Sequence, residues 1–143
     1  MTSLTPVALK FTIPGEPAIW EAHSNGAHVQ AYRSAIRDQY PGKPLSGPIE
    51  LDCTYILSPP RALSERVAHG ERVPAFIGGS PRLEKLNALV TYSCQHILFG
   101  NIQQITSLTA KKEYGSTGGS TIIVLRRTQG SSANEPSLPS SSD

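Results

Sequence analysis

No apolar run in this chain approaches the roughly 20 residues that a membrane-spanning helix needs, so no membrane partner is expected. Cysteine is scarce. Cys53 and Cys94 are the only two, too few and too far apart for a disulfide framework or a zinc ligand pattern. Both stand among apolar neighbours, which predicts buried free thiols. The first ten residues lack a basic start followed by an apolar segment, which argues against a secretory leader. Together these absences predict an intracellular location, with nucleus and cytoplasm both open. The four histidines form no His-x-x-x-His pair. Cys94 and His96, two residues apart, would point to different sides of a helix, which disfavours a thiol nucleophile. Gly78-Gly79-Ser80 and Gly115 to Gly119 lack the Lys-Ser/Thr of a phosphate loop. There is no internal repeat.

Charge of one sign is also missing, since the net charge is only +2. It is unevenly placed. Residues 128–143 hold two of the 11 acids and none of the 13 bases, which leaves the first 127 residues at +4. That balance is compatible with a polyanionic partner without requiring one. Residues 128–143 are rich in Ser and Pro and predict a disordered tail. A length of 143 residues predicts one domain, over 1–127, with a core of its own.

Periodicity gives the elements. Val7, Leu9, Phe11 and Ile13 alternate with smaller or polar residues and predict a first strand, closed by Pro14-Gly15-Glu16-Pro17. Val29, Tyr32 and Ile36 share one face of a helix over 28–40, which Pro41-Gly42 stops. Ile49 to Leu57 alternates as a second strand. Arg61 to Val67 suggests a short helix, followed by a long loop over 68–80. Ser80-Pro81 predicts the start of a second main helix running to about His96, with Ser80 as its cap. Ile105 to Lys111 predicts a third strand, with Ile105, Ser107, Thr109 and Lys111 opposite Thr106, Leu108 and Ala110. Thr121 to Arg127 predicts a fourth. The expected fold is α/β, a small mixed sheet with two main helices packed on it. Lys111-Lys112 and Arg126-Arg127, in the last two strands, are expected to pair across adjacent strands.

Three segments resemble the RusA family of Holliday junction resolvases in content, order and spacing. They are Phe11-Thr-Ile-Pro-Gly-Glu-Pro17, Pro44-Leu-Ser-Gly-Pro-Ile-Glu-Leu51 and Leu108-Thr-Ala-Lys-Lys-Glu-Tyr-Gly115. The resemblance covers about Lys10 to Arg127. It implies a RusA-like fold, a homodimer, a branched-DNA partner and a role in DNA recombination and repair. Family members carry an Asp-x-Asp-Asn-Leu run opening a helix, and an Asp-Asp-x-Gln-Val run about twenty residues later, whose carboxylates hold Mg²⁺ beside the scissile phosphate.

Those runs align here with Arg82-Leu-Glu-Lys-Leu86 and Asn101-Ile-Gln-Gln-Ile105. Arg82, Glu84 and Lys85 stand at the Asp, Asp and Asn positions of the first. Asn101 and Ile102 stand at the Asp pair of the second. Glu84 is the one retained carboxylate of the motif and the single catalytic candidate. At an effective dielectric of about 20, one charge at ~4 Å is worth roughly 4 kcal/mol, so added cations replace attraction for Mg²⁺ with repulsion. The expectation is a cleavage-deficient relative with no metal site of its own, although Mg²⁺ is the family's cofactor.

Arg61, Arg66, Arg72, Arg82, Lys85, Lys111 and Lys112 are the candidate nucleic-acid contacts, and solvated side chains are the plain alternative for Arg82 and Lys85. The family's basic segment after the Pro-Gly-x-Pro turn is replaced by Ala18-Ile-Trp-Glu-Ala-His-Ser-Asn-Gly26, with no Arg or Lys. Within it, Trp20 is expected in the core or a dimer contact, or else as a stacking platform for a base. Two other readings stay open. One is an active Mg²⁺-dependent, structure-specific endodeoxyribonuclease in which Glu65, Glu71, Asp52 or Glu84 converge. The other is a protein-interaction module on the same scaffold without DNA binding.

Overall fold

A computed structural model describes residues 6–21, 26–70, 81–115 and 118–127. The described residues form four strands and three α-helices. The order is β1 (Val7–Pro14), α1 (Gly26–Gln39), β2 (Ile49–Leu57), α2 (Arg61–Ala68), α3 (Leu83–Cys94), β3 (Ile105–Tyr114) and β4 (Ser120–Arg127), with a 3₁₀ turn at Ile102–Gln104 leading into β3. The strands form one mixed sheet in the order β1-β4-β2-β3. β4 is antiparallel to both β1 and β2, whereas β2 and β3 are parallel. A parallel pair needs a long crossover, and α2 and α3 lie in it. This is the expected α/β class, a small mixed sheet with two main helices packed on it.

Alternation sets the core. Phe11, Leu51, Tyr55, Ile123 and Leu125 fill one face of the sheet, and all are essentially inaccessible. Onto that face α1 brings Tyr32 and Ile36, and α3 brings Leu86, Leu89, Val90 and Cys94. Truncating any one of these leucines to alanine costs about 2–5 kcal/mol. Two tyrosine hydroxyls that enter it are paired. The Tyr55 hydroxyl donates to Asn87 Oδ1 at 2.7 Å, joining β2 to α3. The Tyr32 hydroxyl accepts from the Ala18 amide at 2.9 Å and lies 3.3 Å from Thr121 Oγ1. Ser93 Oγ is buried with no hydrogen-bond partner among the described residues. Both cysteines are free and buried, as their apolar neighbours predict.

The second main helix is shorter than Ser80-Pro81 to His96. It begins at Leu83 with Arg82 as its N-cap, and the Arg82 side chain caps nothing. Lys112 Nζ donates to the Pro81 carbonyl at 2.9 Å, which engages that carbonyl outside the helix. Ser80 lies outside the described residues. At the other end the helix stops at Cys94, where Gln95 turns extended (ψ 137°), and His96 then takes a left-handed backbone (φ 72°) in the turn that returns Leu98 and Phe99 to the core.

Two strand expectations are corrected. β3 does not alternate simply, because the register with β2 slips between Ile49 and Glu50. Thr106 is the extra residue of this bulge, and its hydroxyl donates to the Ile49 carbonyl at 3.1 Å. Ile105 therefore shares a face with Leu108, Ala110 and Lys112 instead of opposing them. The basic pairs at 111–112 and 126–127 are not on adjacent strands, because β2 lies between β3 and β4. Among the described residues no helix is long and apolar enough to cross a membrane.

Candidate nucleic-acid interface

The turn after β1 delivers Trp20 to α3. Gly15 takes a left-handed conformation (φ 101°), as this turn requires. The Glu16 carboxylate then accepts from the Ser58 amide at 3.0 Å and the Ser58 hydroxyl at 2.7 Å, pinning the turn to the end of β2. From there the chain runs across α3, and the Trp20 amide donates to the Lys85 carbonyl at 3.0 Å. The half-buried indole packs on Tyr92, with ring centroids 5.0 Å apart and planes tilted by 51°.

This arrangement leaves an open groove of about 470 Å³ at the head of α3, lined by Trp20, Arg82, Glu84, Lys85 and Ala88. Arg82 Nη1 lies 3.4 Å from Glu84 Oε1, and both side chains are largely exposed. An exposed pair of this kind is worth only about 0–1 kcal/mol, so it is easily rearranged by a ligand. Its main effect is on sign. The one carboxylate of the groove is matched by its neighbour, and Lys85 is left as the excess charge.

The aligned motif positions are not brought together. Asn101 and Ile102 follow the far end of α3, which rises about 18 Å over its 12 residues. Asn101 caps the 3₁₀ turn by accepting from the Gln103 amide at 2.8 Å. Gln104 accepts from the Asn101 amide and donates to the Leu45 and Gly47 carbonyls, each at 2.9 Å. This corner is a backbone brace at the start of β3. Lys112, which contacts the start of α3 through Pro81, sits near the strand's other end.

The remaining candidates scatter. Lys111 lies on the opposite sheet face from Lys112 and pairs with Glu113 at 2.9 Å. Arg61 and Arg66 are on α2, where Arg61 pairs with Glu65 at 3.4 Å. Arg72 and Glu71 fall outside the described residues. Asp52 accepts from Arg126 Nη1 at 2.7 Å, and that hydrogen bond holds its carboxyl below the usual aspartate range. Among the described residues no three His, Cys, Asp or Glu side chains gather closely enough to hold a metal ion. Asp52, Glu65 and Glu84 therefore do not form such a group of three.

The buried groups are poor nucleophiles. Burial raises the Cys53 thiol to about 11 and also raises Cys94 and Tyr55.

A second cavity, of about 390 Å³, opens between α1 and α3. Arg33, Tyr92, Gln95 and His96 are among its lining residues. Arg33 Nη1 donates to the Ser93 and Gln95 carbonyls at 3.2 and 2.9 Å, which places its charge at the end of α3. Sequence reading passed over Tyr92 and Arg33. Tyr92 had a signal, because Lys85, Ala88 and Tyr92 are spaced three and four apart and share one helical face. Arg33 had none, since its partners lie 60 and 62 residues away.

No protein-family model matches the chain, and no curated protein matches its sequence.

Proposed function

We propose that this chain is a RusA-like protein of DNA recombination or repair that binds branched DNA at the head of α3 without cleaving it. One observation carries the reading. The groove at the motif's first run is lined by two cations, an indole and a carboxylate already paired to arginine. Such a lining suits a phosphate backbone and does not suit a divalent cation. The homodimer and the descent from a Mg²⁺-dependent nuclease belong to the same proposal and rest on the resemblance in the three segments, whereas the intracellular location rests on the scarcity of cysteine.

The test is a gel shift with a four-way DNA junction across a range of salt. Binding should be stronger for the junction than for linear duplex. It should weaken steeply with salt, with a log–log slope of roughly 0.9 per phosphate contacted. No shift at low salt would overturn the reading and favour a protein-interaction module.

A further inference from the structure

The groove and the second cavity lie on one continuous strip. Lys85, Ala88 and Tyr92 follow one another along the same face of α3, and Trp20 rests against Tyr92. Tyr92 also lines the cavity that holds Arg33, Gln95 and His96. The strip thus has cations at both ends, Arg82 and Lys85 at the head of the helix and Arg33 at its foot. An aromatic pair sits between them, Trp20 half-buried against the core and Tyr92 49% accessible. The helix length of about 18 Å matches about five nucleotides of a stacked strand at 3.4 Å each.

We infer that this strip binds an unpaired stretch of DNA, with bases stacked on Trp20 and Tyr92 and phosphates held by Lys85, Arg82 and Arg33. The inference rests on the proposed junction binding and names what that site takes hold of, namely the unpaired nucleotides of a branched substrate. The charge pattern selects a polyanion. The aromatic pair selects one whose bases are open, because a duplex keeps its base faces stacked inside. An aromatic platform of this kind tolerates any base, since every base offers a π-face. No duplex groove is read, so little sequence preference is expected.

Trp20 is the only tryptophan in the chain, so emission excited selectively from tryptophan, over the five tyrosines, reports on this strip alone. The full chain is titrated with oligothymidylate of about eight nucleotides, with an abasic oligomer of the same length and with a blunt duplex. Quenching by oligothymidylate, and much less by the abasic oligomer or the duplex, is the expected result. Tyr92→Ser, at an exposed position that leaves the core intact, should weaken oligothymidylate binding about fivefold or more. Trp20→Leu, which retains apolar packing, should do the same in a polarisation assay with labelled oligomer.

The inference is overturned if the protein shifts four-way junctions while Trp20 fluorescence is unchanged by oligothymidylate. It is equally overturned if both variants bind the oligomer as the parent does. In either case the junction reading stands. If neither junction nor oligomer binds, both fall together.

Discussion

The Trp20 amide donates to the Lys85 carbonyl at 3.0 Å, so main-chain geometry fixes the indole beside the two cations of the groove. The two residues are therefore neighbours despite the 64 positions that separate them in sequence. The groove's affinity for a polyanion should follow its cations directly. Arg82→Ala and Lys85→Ala should each weaken junction binding and lower the salt slope by about one unit per lost phosphate contact. Glu84→Gln should strengthen binding, because it frees Arg82 from its ion pair. A salt-resolved binding isotherm for each variant checks this, and unchanged slopes would place the contacts elsewhere.

Ser93 Oγ is buried without a partner among the described residues, on the face of α3 that meets the core. An unsatisfied buried hydroxyl costs about 1–3 kcal/mol, and alanine removes it with little change of volume. Ser93→Ala should therefore stabilise the fold by about 1 kcal/mol. The change should read as a higher urea midpoint at an unchanged m-value. A lower midpoint would mean that the hydroxyl is satisfied after all.

Cys53 and Cys94 lie inside the core, and burial holds both thiols well above their ordinary range, Cys53 at about 11. Thiolate is the reactive form, so near pH 8 neither should react with a disulfide reagent while the chain is folded. Labelling should follow unfolding, with both thiols appearing together in denaturant. Rapid labelling of the folded protein would contradict the packing of β2 against α3.

Asp52 is held below the ordinary aspartate value of 3.8, first by its hydrogen bond from Arg126. Folding therefore favours the ionised form. The stabilisation from this pair is present above 3.8 and is lost as pH falls through the lower midpoint of the folded state. The carboxyl is more than one-third exposed, so salt should reduce the effect. NMR titration should find the Asp52 midpoint below 3.8 in the parent and raised toward it in Arg126→Gln. An equal midpoint in both proteins would show that the 2.7 Å contact does not persist in solution.

Much of the architecture is written in local pattern. The alternation of β1, β2 and β4 and the apolar stripes of Tyr32/Ile36 and Leu86/Val90/Cys94 specify strands and helices without reference to the rest of the chain. Long-range bonds decide what that pattern leaves open. The Thr106 bulge depends on the Ile49 carbonyl across the sheet, and the start of α3 is marked by Lys112 reaching Pro81. Strand order is a tertiary outcome, so sequence neighbours β3 and β4 are not sheet neighbours.

The site divides in the same way. The cations of the first motif run are legible because they lie within one helical turn. Their distance from Asn101 and Ile102 is not, because an alignment of motifs gives no direction to the helix between them. Tyr92 shares the helical face of Lys85 and Ala88, whereas Arg33 enters only when α1 and α3 are set side by side.

Whether the groove takes DNA and leaves it intact is decided by incubating the purified full chain with a labelled four-way junction and millimolar Mg²⁺, and reading binding and strand integrity from the same samples. The expected result is a shifted junction with both strands whole, in Mg²⁺ as in chelator. Junction-specific nicks that require Mg²⁺ and vanish in Glu84→Ala would contradict it.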